Sequence, residues 1–315
     1  MNRSNKKLVV FGASGVQGRA QVNLALKQGY QVRAVTRTPS AFSDERYAAL
    51  EMVEAEFEDT ASLDRALDGV DGVLAQVPTM GDEGLMRGYL RNFADALARS
   101  GVPIIVFNVS MWAPREPCES SGYNFILETE NILKAVGLPL IFLEPTLFMN
   151  NLQGNWIRET IIREGVFRYP HKPSMEANWV CVEDLAKVAL AVVERPELAG
   201  RHIRVGGPER LRPADVVKVL SEVTGRPVEH VYVTPRVFAQ SLWDLLSQVT
   251  EYTDNAGNMP RGREEEDYVS NIDEFYTFCN DSPLRPFLVD DDFVTRELGI
   301  ELTTMKDWAK TQCWK

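Results

Sequence analysis

The sequence predicts a doubly wound α/β fold, with a parallel sheet of the Rossmann type and a smaller α+β lobe at the C-terminal end. Two observations support this prediction. Short apolar runs alternate with helical patterns through the first half of the chain, and such alternation is typical of a parallel sheet covered by helices. A glycine-rich segment within Val9–Ala20 also follows the first apolar run and opens the first helical pattern.

Six apolar runs have the length and composition of buried strands. They are rich in β-branched or aromatic residues and are bounded by Gly, Pro or Asp. In chain order they are KLVVFG, YQVRAVTR, LEMVEA, DGVLAQV, VPIIVFNVS and LPLIFLEP. Segments with helical spacing of apolar residues separate them, namely GRAQVNLALKQG, TASLDRALDG, LMRGYLRNFADALARSG and YNFILETENILKAVG. The order of these segments predicts a strand–helix alternation.

The pattern changes after about residue 150, which suggests two domains. We predict that residues 1–150 form a nucleotide-binding Rossmann domain, and strands from about 176–206 are candidates to complete its sheet. Residues 151–315 form a substrate-binding lobe. Within that lobe, residues 247–286 are polar, charged and dotted with aromatic residues, which predicts an irregular insertion.

Composition and charge argue against several classes of partner. The net charge is −11, which disfavours nucleic-acid binding. The four cysteines lie far apart without a CxxC pair, and the three histidines are scattered, so we predict no metal site. The N-terminal apolar run is too short for a signal peptide or a membrane span. We therefore expect a cytoplasmic protein with a small-molecule substrate and no membrane or nucleic-acid partner.

The glycine loop predicts a dinucleotide site. Gly12, Gly15 and Gly18 are spaced three apart between the first strand and the first helix. The first glycine allows a tight turn, the second lets the backbone approach a pyrophosphate, and the third lets helix and strand pack closely. The N-terminus of the helix then offers amide donors and the positive end of its dipole to phosphates.

The end of the second strand predicts NADP as the cofactor. NAD sites carry Asp or Glu about 20 residues after the loop, whereas this chain has Thr36 and Arg37 in VRAVTRTPS. A guanidinium can bind a 2′-phosphate through paired hydrogen bonds, which a carboxylate would repel. Arg33 could share a strand face with Arg37.

At this point the sequence resembles the NmrA-like group of atypical short-chain dehydrogenases/reductases, which includes benzylic ether reductases and NADP-sensing regulators. The resemblance covers nearly the whole chain. It rests on FGASGVQGR, VRAVTRTPS, EFEDTASLDRALDGVDGVLAQVPT, GLPLIFLEPTLFMNNL, WVCVEDLAKVALAVVE, ELAGRHIRVGGPERLRPADVVKVLSEVTGRPV and ELGIELTTMKDWAK.

The resemblance implies cofactor contacts along the carboxyl ends of the strands, where open α/β sheets bind ligands. It implies that Ser14, Val16 and Gln17 face the pyrophosphate. It also implies that Glu56 and Phe57 hold the adenine. The contacts implied on the nicotinamide side, after strands four to six, are Gln76, Val77, Pro78, Asn108, Ser110, Pro145, Thr146 and Phe148.

The chain departs from this group in the helix after strand five. Reductases of the group usually carry a Tyr or His there, with a Lys four residues later. Here Ile126 occupies the position of the lysine and Gly122 that of the acid, with Tyr123 beside it. The next lysine, Lys134, is 11 residues after Tyr123, or about 16 Å along a helix. Glu144 also stands where the group commonly has Arg.

Three functions remain open. The first is NADPH-dependent hydride transfer to an activated small molecule, such as an enone, an iminium or a quinone methide, with Ser110 and Tyr123 as candidate catalytic residues. The second is an NADP(H)-sensing regulator that acts on a protein partner. The third is a non-redox cyclase or isomerase. The first is favoured because a full C-terminal lobe with an aromatic-rich insertion suits a small-molecule pocket.

Overall fold

Within residues 3–77, 82–247 and 264–314, which the computed structural model describes, seven parallel strands form the main sheet. In chain order the strands are β1 (Lys7–Phe11), β2 (Gln31–Val35), β3 (Glu51–Val53), β4 (Gly72–Ala75), β5 (Ile105–Asn108), β6 (Leu140–Pro145), β7 (Val166–Tyr169), β8 (Ala177–Asn178), β9 (His202–Val205), β10 (Arg210–Leu211) and β11 (Glu229–Tyr232). The main sheet has the order β3-β2-β1-β4-β5-β6-β9. This topology confirms the predicted doubly wound sheet.

The helices of the same residues cover both faces of the sheet and build the lobe. They are α1 (Val16–Lys27), α2 (Thr60–Leu67), α3 (Glu83–Ser100), α4 (Ser121–Lys134), α5 (Asn155–Glu164), α6 (Val182–Val192), α7 (Pro213–Thr224), α8 (Pro235–Leu246), α9 (Glu265–Asp281) and α10 (Met305–Lys310). None of these helices has both the length and the apolar character needed to cross a membrane.

Strand β1 shows why the sheet needs helices on both faces. Its side chains alternate, so Val9 and Phe11 join one apolar core while Leu8 and Val10 join the other. Helices α2, α3 and α4 cover the first core, and α1 and α6 cover the second. Burial on both faces accounts for the continuous apolar runs in the sequence.

Strand β9 completes the main sheet from the second half of the chain. It lies beside β6, with Glu144 opposite Arg204 in the register. The other strands after residue 150 form two small pairs: β7 with β11, and β8 with β10. The stretch 176–206 therefore contributes one strand to the main sheet and one to a small pair.

The prediction of an irregular insertion is wrong for residues 265–281, which form a helix. Within 247–286, α9 spans Glu265–Asp281 and packs against α8, whereas 248–263 lies outside the described residues. The buried side chains Val269, Tyr276 and Cys279 recur at helical spacing. The dense acidic and aromatic composition obscured this periodicity in the sequence.

Candidate active site

The glycine loop adopts the geometry that a dinucleotide cradle requires. Gly12 has a φ of +65°, a left-handed conformation that favours glycine. A Cβ atom on Gly18 would lie 2.2 Å from the Gly12 carbonyl oxygen, so only glycine allows this close approach of helix and loop. Helix α1 follows Gly15, which provides no side-chain cap. The amides of the first turn therefore remain available to a ligand.

Three predicted cofactor residues meet directly below this loop. The Asn108 amide donates hydrogen bonds to Gln17 Oε1 at 2.5 Å and to Gln76 Oε1 at 3.3 Å. These residues come from β5, α1 and the end of β4. Val77 is buried next to Gln76, and Pro78 lies outside the described residues. The carboxyl ends of β4 and β5 and the first turn of α1 thus converge on one cluster of side-chain amides.

The end of β2 places two arginines in different settings. Arg37 is exposed and follows Thr36, whose hydroxyl donates to Ser14 Oγ at 2.9 Å. Arg33 is only 6% exposed and is bonded to Glu51 and to carbonyls at the end of α2. The prediction that Arg33 shares a strand face with Arg37 is wrong, because Arg37 lies beyond the end of β2 and Arg33 is held by these structural contacts.

Sequence reasoning missed a third cation at this edge. Arg19 donates from Nη2 to the Ser14 carbonyl at 3.4 Å and from Nη1 to the Ala41 carbonyl at 3.2 Å. It also lies over the Phe42 ring. Arg19 therefore connects the glycine loop to the segment after β2. The position of Arg19 directly after Gly18 is the sequence feature that could have identified it.

The segment after β3 is built partly from aromatic packing. Phe57 contacts the rings of Phe11, Tyr89 and Phe93 at centroid distances of 5.8–6.0 Å. Glu56 is exposed, and its backbone amide donates to Ser62 Oγ at 3.2 Å. Glu56 and half-buried Phe57 thus lie next to Phe11, which directly precedes the glycine loop, and their contact with the adenine stays a prediction.

Ser110, two residues after the end of β5, has an unusual backbone conformation. Its φ is +71°, in the left-handed region that non-glycine residues rarely adopt. Its backbone amide donates to Asn108 Oδ1 at 2.8 Å. The amide cluster that meets the glycine loop therefore also fixes Ser110, and local strain of this kind is concentrated at functional sites.

Tyr123, the second candidate catalytic residue, occupies a packing position instead of facing the site. Its side chain is 1% exposed, and its hydroxyl pairs with Cys279 Sγ at 3.3 Å. The rings of Phe275 and Phe278 pack against it. Burial, and then the neighbouring Cys279, raise the pKa of Tyr123 well above its usual value. These contacts argue against Tyr123 as a proton donor, because its hydroxyl lies in the core.

Ile126 is likewise part of the core. It is 5% exposed and lines a small apolar cavity together with Val77, Asn108, Phe125 and Thr129. The Thr129 hydroxyl donates to the Phe125 carbonyl at 2.9 Å. The helical face that would present a lysine to the site thus presents aliphatic and aromatic groups.

The end of β6 carries a buried ion network. Pro145 is buried at its last position, and Glu144 before it is fully buried and bonded to Arg115 and His202. Ligand atoms of Glu130, Glu144 and His202 lie within 4.8 Å of one another. Arg115 also pairs with Glu130, at 3.2 Å, so a cation from the protein already occupies the space between the two carboxylates.

Comparison with known proteins identifies the family of this chain. The NmrA-like family matches residues 4–281. The chain belongs to the NmrA-like family.

Proteins similar to this chain in sequence include reductases. A (4-alkanoyl-5-oxo-2,5-dihydrofuran-3-yl)methyl phosphate reductase of Streptomyces griseus is 33% identical over 229 residues, which are 70% of this chain and 75% of the relative. An NAD(P)H azoreductase of Xenophilus azovorans is 26% identical over 228 residues, covering 72% and 77% of the two chains. The chain is thus similar in sequence to reductases of two different compounds.

Solved structures share the fold of this NmrA-like chain over nearly its whole length. Triphenylmethane reductase of Citrobacter sp., in complex with NADP(H), has a TM-score of 0.75 and 20% identity, covering 96% of this chain and 99% of that one. NADPH-dependent quinone oxidoreductase of Escherichia coli, in complex with NADPH, has a TM-score of 0.75 and 17% identity, covering 96% and 98%. At these identities the likeness establishes the fold.

Proposed function

We propose that this protein is an NADPH-dependent reductase that transfers hydride to an activated small-molecule acceptor without a Tyr/Lys pair. The observation that carries the proposal is the contrast between Asn108 and Ile126. Asn108 joins Gln17 and Gln76 in a polar cluster under an open helix N-terminus. Ile126, on the helix that would carry the acid and lysine, is buried and presents an aliphatic side chain to the small cavity that Asn108 also lines.

The protein binds NADP(H) along the carboxyl ends of the strands. The first-turn amides of α1 hold the pyrophosphate, and Arg37 and Arg19 lie on the side where a 2′-phosphate would be bound. Phe57 offers a ring surface to the adenine. Gln76 and Asn108 lie at the ends of β4 and β5, on the nicotinamide side. When bound, NADPH supplies the hydride.

The acceptor needs little help from an acid. An enone or quinone methide gains a hydride at an electrophilic carbon, and its oxygen then takes a proton from water; an iminium needs no proton at all. The buried Tyr123 hydroxyl is unavailable for this step. Ser110, held by Asn108, orients the acceptor through its hydroxyl. One relative supports this class, because it reduces an alkanoyl-oxo-dihydrofuran, whose ring double bond is conjugated with a carbonyl group.

Isotope transfer tests the reaction. The protein is mixed with NADPH deuterated at the nicotinamide C4 and with one neutral enone, one quinone methide or one iminium salt. We expect consumption of NADPH and deuterium on a carbon of the acceptor, detected by mass spectrometry. Tight NADPH binding without consumption for all three classes would contradict the proposal and favour a sensor. Failure to bind NADPH would favour a non-redox cyclase or isomerase.

Cofactor selection is tested at Arg37. We expect Arg37→Ala to weaken NADPH binding by about 30-fold, since a charge-assisted bond to phosphate contributes about 2 kcal/mol. Binding of NADH should be almost unchanged. Arg65→Ala, an exposed arginine on α2, is the matched control. Equal losses for NADPH and NADH in the Arg37 variant would show that this residue does not read the 2′-phosphate.

A further inference from the structure

The segment after β5 carries an indole ring that a cation covers on one face. The Arg204 guanidinium carbon lies 4.7 Å from the centroid of the Trp112 ring. Tyr123 contacts the same indole edge-on, at a centroid distance of 6.4 Å. Trp112 is half-buried and lies two residues after the strained Ser110. The indole is therefore held in place beside the candidate site while part of its surface stays exposed.

Arg204 reaches Trp112 from the neighbouring edge of the sheet. It lies on β9, directly opposite Glu144 on β6. Its Nη2 donates to the Pro286 carbonyl at 2.8 Å, while its buried Nε has no hydrogen-bond partner among the described residues. Few hydrogen bonds thus hold the guanidinium, and the Trp112 ring forms one of its main contacts.

The carboxylates near Arg204 also interact with other groups. Oε1 of Glu144 is shared by Arg115 and His202, while its buried Oε2 has no hydrogen-bond partner among the described residues. The nearby Asp290 is bonded to Arg210, and the Asp291 carboxylate accepts from the Phe293 amide.

The charges around Arg204 balance in number, with Arg115, Lys134, Arg204 and Arg210 against Glu130, Glu144, Asp290 and Asp291. The local charge at the indole is therefore set by the guanidinium that lies directly over the ring.

A cation on one face of an aromatic ring changes which ligands can stack on the opposite face. The ring's electrostatic attraction is directed toward the cation already present, and a second cation stacked opposite would be repelled by it. A neutral planar π-system suffers no such repulsion. We propose that Trp112 is the platform on which the planar conjugated part of the substrate stacks, and that Arg204 makes this platform select neutral over cationic acceptors.

This inference rests on the proposed function and narrows it. Of the three acceptor classes, it favours enones and quinone methides and disfavours iminium ions. Trp112 is the residue that touches the substrate, whereas Arg204 is a positioning residue that acts through the indole.

Paired ligands that differ only in charge test the selection. Quinoline and N-methylquinolinium share one planar bicycle, and their affinities are measured by calorimetry with and without NADP⁺. We expect the wild-type protein to bind quinoline about tenfold more tightly. In Arg204→Met the ratio should fall close to one, and in Arg204→Lys it should persist. Trp112→Ala should weaken binding of both ligands several-fold.

Two further variants keep the result interpretable. Arg201→Met removes a different cation–ring pair, with Phe293, and should leave the ratio unchanged. Arg204→Gln keeps a donor for the Pro286 carbonyl and serves if the Met variant is unstable. An equal ratio in the wild type and the neutral Arg204 variants would overturn the proposal, as would unchanged binding in Trp112→Ala.

The binding ratio is independent of turnover. If no acceptor consumes NADPH but the charge selection is present and lost in Arg204→Met, the proposed reaction fails while this inference stands. If acceptors are reduced but neutral and cationic ones are treated alike by every variant, the reaction stands and this inference fails.

Discussion

Two neighbouring regions of this protein, the glycine-loop region and the α4–α9 interface, are built in opposite ways. In the first, Gln17, Gln76 and Asn108 bring polar amides together under an uncapped helix N-terminus. In the second, Tyr123 is buried against the rings of Phe275 and Phe278. One region gathers groups that can bind a polar ligand, while the other buries the Tyr123 hydroxyl and the Cys279 thiol in the core. Substitutions can therefore test the two regions separately.

The strongest test of the glycine-loop region is Gly18→Ala. The added Cβ would meet the Gly12 carbonyl oxygen at 2.2 Å, so the loop or the helix must move. We expect a loss of about 3 kcal/mol in stability and about 100-fold in NADPH affinity, measured by urea unfolding and calorimetry. Gly88→Ala is the control, because a Cβ there has nothing within 4 Å and should stabilise α3 slightly. Similar behaviour of both variants would contradict the close-packing argument.

A pH titration tests the aromatic packing of the lobe that α9 covers. His171 is 2% exposed among the rings of Tyr169, Trp179, Tyr276 and Phe287. Burial lowers its pKa from 6.5 to about 3. Between these values the unfolded chain binds the extra proton, so the stability present above pH 6.5 is lost as the pH falls. The loss is up to about 1.4 kcal/mol per pH unit.

The comparison of the wild type with His171→Phe isolates this contribution. Urea unfolding from about pH 7 to about pH 4 should show a shallower decline in the variant, because the titrating carboxylates are common to both proteins. Parallel declines would mean that His171 is accessible to protons in the folded state.

The sequence predicted the glycine-loop region better than the α4–α9 interface, and the physical reason lies in the range of the contacts. The glycine spacing and the position of Arg37 are local patterns, and each can be read from a few consecutive residues. The family resemblance implied Gln17, Gln76 and Asn108 as separate cofactor contacts, whereas the hydrogen bonds that join them were not predicted. The absence of the Tyr/Lys pair was also visible from Ile126.

The partners of Tyr123 and Arg204 could not be found in this way. Cys279 is 156 residues from Tyr123, and its helix was hidden in a segment of acidic and aromatic residues. Arg204 reaches Trp112 only because β9 returns to the edge of the sheet beside β6. Contacts of this kind follow from tertiary packing, which local periodicity does not encode.

A smaller effect is expected at Asn108, where the two regions meet. Asn108→Ala removes the bonds to Gln17, Gln76 and the Ser110 amide. Loss of these buried bonds should lower stability by about 2 kcal/mol and NADPH affinity about tenfold. Asn131→Ala, an exposed position on α4, serves as the control. If NADPH affinity stayed at the wild-type level, the amide cluster would be a purely structural feature.

The smallest effect is expected at Tyr123, and it separates the two regions most sharply. Tyr123→Phe keeps the ring packing and removes only the hydroxyl bonded to Cys279. Stability should fall by about 1 kcal/mol or less, and kcat with a neutral enone should stay within about twofold of the wild type. A general acid would instead contribute about 10²–10⁴-fold to the rate. A fall in kcat of that size, with unchanged NADPH affinity, would show that Tyr123 at the α4–α9 interface donates a proton in the reaction.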